Sequence, residues 1–458
     1  MTIHFARRAL LAAAAVLLTA CATGPAPEPH PPIVFVHGNG DTAALWHTLL
    51  WRFESNGWPT QRLHAIDLPY PLARDADDTP QPGRTSTTQH MQFLAEEVEQ
   101  VLRRTGQSRV VLIGNSRGGY AIRNYIANGG GAAKVSHAIL GGVPNHGVWS
   151  NPGFRPNSEF NGAGPFLGAL NRQGGVGIEI TPGVEWLTIR SDNNDKFAQP
   201  DGVWIGAKGT ATNVNFDGPE LKGARNLVLA GIDHRETSFS AKAFAASYHF
   251  ITGREPTTLD ISAEPRISLS GKVSGLGLDN RPGAGNFVNN LALAGAEVEV
   301  YAVDPATGER SGAALHRQVV GADGLWGPLT TSSQTALEFQ VSAPDFAVTH
   351  IYRSPFARSS QLVHLRAERI AAADREAGAI VTLTRPRGYF GVPRDNIVLD
   401  GTSPPAGIPQ GVAGVSVARV RLDPAAPRAV SAAFNGERIV GRTWPTRLNH
   451  VVLLELHD

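Results

Sequence analysis

The chain predicts an alternating α/β domain on a mostly parallel sheet with helices on both faces, followed by a β-sandwich-rich C-terminal region. Three observations predict it. Between residues 33 and 254, short β-branched apolar runs alternate with amphipathic helical stretches, the pattern of a parallel sheet covered on both faces. After residue 254 the texture changes to short strands of two-residue period, punctuated by Gly, Pro and Asp turns. The chain is also long enough for more than one core, with 458 residues of which 42% are hydrophobic, and its 50 glycines and 32 prolines favour turns over long helices.

Charge and cysteine content narrow the function classes. Lys+Arg number 41 against 40 Asp+Glu, a net charge of +1 with no basic block, which excludes nucleic acid as an expected partner. One cysteine excludes an intramolecular disulfide framework and a thiolate metal cluster, and no motif calls for a cofactor. That cysteine has a place. Arg7 and Arg8 precede an apolar run and then Leu18-Thr19-Ala20-Cys21, which resembles a bacterial lipoprotein signal with Cys21 as the lipidated residue. A plain signal peptide cut after Ala20 or Ala22 is the alternative. Either way, export is expected, with lipid anchoring to the cell envelope or secretion. Ala22, by what is known of lipoproteins, points to the outer membrane. Residues 22–32 then read as a Pro-rich tether.

The elements of the domain at 33–254 follow in order. Residues 33–36 form a buried strand, and 62–68 a second. Ser86 caps a helix with Gln89 three residues on, its face is Met91, Leu94, Val98, Val101 and Leu102, and Gly106 stops it. Strand 110–113, a helix from about Tyr120, and strands 135–140, 185–189 and 226–230 complete the sheet, before a helix at 239–252. Residues 147–183 are an insertion carrying Trp149, Phe154, Phe160, Phe166, Leu167 and Leu170, in the position of a cap over a site. It serves as a lid lining a pocket, as packing of a cap subdomain, or as both. Trp186 reads as core. Residues 255–365 form a sandwich, with alternation across 295–301 and turns at 304–308 and 322–324. Residues 366–458 form a second β-rich domain or extension with strands at 379–383 and 451–456.

The chemistry centres on Gly114-Asn115-Ser116-Arg117-Gly118. A G-x-S-x-G pentapeptide alone is weak, but this one follows an apolar strand and opens a helix, as a nucleophile elbow requires. The tight turn excludes side chains two residues to either side of the serine and leaves its hydroxyl exposed beside a helix N-terminus that favours an oxyanion. A serine hydroxyl needs a base. His234, after strand 226–230 and before the last helix, fits better than His249 within that helix, His137 within a strand, or His146, which suits a pocket wall. The acid follows strand 185–189, where Asp192 and Asp195 are both candidates, with Asp201 further off. Motif analogy favours Asp195 and leaves Asp192 as a loop-capping residue. The same run lacks the ligand alternation and sixth-position glycine of a calcium loop. The backbone N–H groups of Arg117 and of Asn39, in His37-Gly38-Asn39-Gly40, are the expected oxyanion donors, with His37 bracing the loop.

The elbow, His37-Gly38 and Asp233-His234 resemble the α/β-hydrolase lipases and esterases. The phrase at 52–59 resembles bacterial lipases of the small class 2 type. The likeness extends through residues 268–272 and 352–356, over most of the chain to about residue 365. There it is similar to archaeal triacylglycerol lipases that carry a β-rich, lipid-binding C-terminal domain. Asn115, where histidine is usual, and the long 147–183 insertion depart from that pattern. The resemblance implies an α/β-hydrolase fold and a serine carboxylic-ester hydrolase acting on lipid or other apolar esters, with a Ser116, Asp195, His234 triad. A polyester depolymerase with a β substrate-binding module and a non-catalytic surface lipoprotein are the alternatives. The C-terminal region either holds substrate as a separable module or packs on the hydrolase and shapes its pocket.

Overall fold

The computed structural model describes residues 30–275, 289–424 and 426–457. Cys21, the expected leader and most of the expected tether lie outside the described residues. Six strands form one sheet: β1 (Ile33–Val36), β2 (Leu63–Ile66), β3 (Val110–Asn115), β4 (Val135–Gly141), β5 (Glu185–Arg190) and β6 (Arg225–Val228). Their order is β2-β1-β3-β4-β5-β6 and every pair is parallel.

The two-residue period of a strand divides the core in two. Val34, Val36, Leu112 and Leu140 meet Leu94, Val98 and Ile122 on one face. Ile33, Phe35, Val111 and Ile113 meet Leu49, Phe53 and Phe244 on the other. Helices α2 (Thr87–Thr105) and α3 (Arg117–Asn128) therefore cover the first face, and α1 (His47–Ser55) the second, with α4 (Pro165–Leu170) lying in the insertion. Ser86 and Gln89 close a reciprocal capping box on α2, and Gly106 ends it at φ 65°. The expected final helix at 239–252 is α6 (Ala241–Thr252), and a short helix that was not expected, α5 (Glu236–Phe239), precedes it. Ser240 separates the two, its hydroxyl accepting Ala243 N–H as the cap of α6.

Beyond α6 the structure is β. A seven-stranded sheet runs Val417–Leu422, Ala379–Thr384, His450–Glu455, Val348–Arg353, Leu337–Ser342, Glu297–Ala302, His316–Val319. It takes strands from both sides of residue 365, so the stretches 255–365 and 366–458 share one sheet. A three-stranded sheet centred on Arg266–Gly275 packs against it through Leu269, Trp326, Phe339 and Ile351. A third joins Ile397–Leu399, Ala429–Phe434 and Glu437–Arg442. One residue of this sandwich core comes from the other side of the molecule. Trp51 of α1 is 3% exposed, packs among the sandwich residues, and donates its indole N–H to Ser359 O at 2.9 Å. No helix among the described residues is long and apolar enough to cross a membrane.

Candidate active site

Ser116 joins β3 to α3 at φ 50°, ψ −122°, a backbone conformation that L-residues adopt only under constraint. The constraint is steric. A Cβ at Gly118 would stand 2.2 Å from Val36 O of β1, and one at Gly114 would stand 2.6 Å from Ile122 Cδ1 and 2.9 Å from Gly119 N. Helix α3 begins directly at Arg117, three residues ahead of the expected start. The low helix propensity of Gly118 and Gly119 conceals that start in the sequence.

The loop after β6 brings His234 to the same place. Its Nδ1 lies 2.9 Å from both carboxylate oxygens of Asp195, and Asp195 also accepts Phe197 N–H at 2.8 Å. Its other ring nitrogen, Nε2, is buried without a hydrogen-bond partner. Phe197 packs edge-on to the imidazole at 4.7 Å. Ser116, His234 and Asn39 line one cavity of about 220 Å³. Asp192 is elsewhere, accepting from Asn194 N–H at 3.1 Å and Gly231 N–H at 3.0 Å, as a loop cap does.

The other sequence candidates separate cleanly. His37 accepts Leu68 N–H at 3.1 Å and donates to Gly38 O, which braces the loop carrying Asn39. His249 pairs with Glu255, and His137 stands edge-on to Phe250. His146 meets Glu179 at 3.2 Å and lines a second cavity that reaches Asp195 and His234 from behind. In the insertion, Trp149 and Phe160 line the Ser116 cavity, whereas Leu167 and Leu170 pack on Tyr120.

Two families match along the chain: the α/β hydrolase fold over residues 31–160, and the lipase C-terminal domain over residues 265–370. With a parallel six-stranded sheet and a strained serine between strand and helix, this decides the fold. The N-terminal region has the α/β-hydrolase fold. The two matches support a lipase or esterase of this type. Among solved structures the chain is similar to Bacillus licheniformis lipase BlEst2 in its propeptide form. Identity is 14% over 92% of this chain and 94% of that one, at a TM-score of 0.35. The mature form of that lipase is 18% identical over 50% of this chain and 91% of its own, at 0.33. A monoacylglycerol lipase from Paleococcus ferrophilus is 14% identical over 49% and 96%, at 0.32.

Several groups that hold the hydrolase site together escaped the sequence reading. Asn115, fully buried, donates through Nδ2 to Ser238 Oγ at 2.8 Å, Gly141 O at 3.2 Å and His234 O at 3.3 Å, tying the nucleophile strand to the histidine loop. The Arg117 side chain is also fully buried. It binds Glu159 of the insertion through two bonds of 2.7 and 2.9 Å and the carbonyls of Pro71 and Thr85, so it anchors the cap to the elbow.

The largest omission is the C-terminal region. Asp233, next to the histidine, accepts Arg385 Nη1 at 2.7 Å and Tyr389 N–H at 2.7 Å. Glu236 meets Arg385 Nη2 and Arg394 Nη1, each at 2.6 Å. Burial by itself would raise the Asp233 pKa, but Arg385 and Arg394 outweigh it and hold the carboxyl below its ordinary value. Burial and the neighbouring Asp233 charge raise that of Glu236. Tyr389 also lines the Ser116 cavity. Of the two arrangements open from the sequence, the structure has the region packed on the hydrolase and forming part of its pocket wall.

Proposed function

We propose that the protein is a serine carboxylic-ester hydrolase, a lipase or esterase acting on lipid or other apolar esters through an acyl-enzyme. The observation that carries this is His234 Nδ1 at 2.9 Å from Asp195, with its free Nε2 and the strained Ser116 on one cavity. In this reading Ser116 Oγ attacks the ester carbonyl while Nε2 takes its proton. The imidazolium gains its stability from Asp195, and the N–H groups of Arg117 and Asn39 receive the oxyanion. Nε2 then returns the proton to the leaving alcohol, and water repeats the sequence on the acyl-enzyme. The unformed Ser116–His234 hydrogen bond is consistent with a site that tightens on its substrate.

The same proposal includes export and lipid attachment at Cys21, tested by whether Cys21→Ala moves the protein from the membrane to the soluble fraction. The catalytic reading is tested with p-nitrophenyl esters of rising chain length and a fluorophosphonate that labels activated serines. Turnover of the series and a phosphonate adduct on Ser116 are expected. An inert protein, or an adduct elsewhere, would sink the assignment.

A further inference from the structure

The wall of the Ser116 cavity is more charged than an apolar ester needs. Four arginines line it, Arg74, Arg84, Arg155 and Arg235, against two carboxylates, Asp41 and Asp75. Two pairs cancel. Arg235 is bound to Asp41, and Arg84 lies 3.6 Å from Asp75. Arg74 and Arg155 are left over, and among the described residues neither has a carboxylate partner. Arg74 donates only to neutral acceptors, Asp77 O at 3.0 Å and Gln89 Oε1 at 3.0 Å. Arg155 is exposed, and its guanidinium stacks over Phe154 at 5.0 Å and Trp149 at 5.9 Å, with Trp149 itself on the cavity wall. Its backbone sits at φ 46°, an unfavourable conformation for a β-carbon residue, in a cap otherwise rich in glycine turns. Two arginines without carboxylate partners on the wall of the cavity that holds Ser116 make that cavity net positive, and a guanidinium matches the geometry of an oxyacid group.

We propose that this cavity takes an ester which, besides its apolar part, carries an anionic oxyacid group, carboxylate or phosphate, held by Arg74 and Arg155. The inference rests on the ester-hydrolase reading above and narrows its substrate class. Cation–π stacking keeps Arg155 from collapsing onto solvent-exposed carboxylates, so its charge is available to substrate. Uncharged triacylglycerols would gain nothing from either arginine.

The test compares matched neutral and anionic esters on the full-length protein. One pair places the charge on the acyl side, mono-p-nitrophenyl suberate against p-nitrophenyl octanoate. The other places it on the alcohol side, 4-butyryloxybenzoate against its methyl ester. The charged member of at least one pair should exceed its neutral partner in kcat/KM by about tenfold, mainly through KM, and the pair in which this occurs locates the anion. That advantage should shrink as ionic strength rises past about 0.1 M, where the screening length falls to about 10 Å. It should reverse in Arg155→Glu, an exposed position where the change leaves folding intact. Turnover of the neutral esters with no preference for charge in either pair, at any salt, overturns the inference and leaves the hydrolase reading standing. No turnover of any of the four esters overturns both.

Discussion

Ser116 and His234 are held in place by opposite means. The serine is fixed by local crowding: two glycines, a strand oxygen at 2.2 Å from where a Cβ would be, and a helix that starts one residue on. The histidine is fixed from far away in the chain. Its loop is gripped by Arg385, Arg394 and the backbone of Tyr389, more than 140 residues later in the sequence. A catalytic site can thus be half local and half assembled, and the two halves should respond to different perturbations.

The largest effects should come from the reacting groups themselves. Ser116→Ala and His234→Ala should each lower kcat roughly 10⁴-fold or more with little change in melting temperature, since the members act as a unit. Asp195→Asn should approach that loss and Asp192→Asn should not. Steady-state kinetics with the reverse ordering would move the acid to Asp192.

Removal of everything after residue 254 separates local from assembled control. The sequence, read alone, expects the truncated domain to keep turnover of a soluble short-chain ester within about tenfold. The structure predicts the opposite. Truncation strands the buried Asp233 and Glu236 carboxylates and exposes Trp51, so soluble expression and esterase activity should fall together. A soluble, active truncation product would mean the seam is incidental.

A smaller perturbation targets one contact of that seam. Arg385→Met should cost about 3 kcal/mol of unfolding free energy in a denaturant titration, because the buried Asp233 and Glu236 carboxylates then share Arg394 alone. It should also lower kcat about tenfold by loosening the histidine loop. Adding Asp233→Asn should restore part of the stability, since the stranded charge is gone. Full additivity of the two losses would rule out the clamp.

Acidification tests the same seam without a mutation. His47, His364 and His457 are buried where the two regions meet. Burial lowers all three: His364 to about 4, His457 to about 3, and His47 well below its ordinary value, with Arg387 reinforcing the shift on His47 and His457. The unfolded chain takes up protons near pH 6.5 that the folded one refuses until much lower. Their contribution to stability is therefore complete above pH 6.5 and is lost as pH falls toward about 4. Melting temperature measured from pH 7 to 4.5 should decline steadily, and replacing His457 by Phe should flatten the decline. A flat profile in the parent protein would break this account.

The contrast between the two anchors also explains what the sequence could tell. The six parallel strands, the capping box on α2 and the elbow are specified by residues within a few positions of one another, and they are legible for that reason. Asp195 is favoured as the acid on motif analogy, and the structure sets its carboxylate against His234 Nδ1. The pairing of Arg117 with Glu159, and of Arg385 with Asp233, was not legible. A lone arginine in a sequence carries no sign of a carboxylate 42 or 152 residues away. No acid, base or nucleophile cluster is legible in the sequence of the C-terminal region, which made it read as an accessory. What it contributes is cations bound to Asp233 and Glu236, the carboxylates that flank His234. The short helix α5 was missed because Glu236-Thr237-Ser238-Phe239 is a single turn with little helix propensity of its own.

The strand His450–Glu455 lies between Ala379–Thr384 and Val348–Arg353, near the middle of its sheet, yet it leaves the ribosome after every other strand in it. The sheet cannot close around a gap at its centre, and until it closes, Arg385 and Arg394 lack the platform that aims them at the histidine loop. A partly synthesised chain therefore has its strained serine turn long before its histidine loop is clamped. On the proposed ester-hydrolase reading, such a chain stays chemically silent until this strand is inserted.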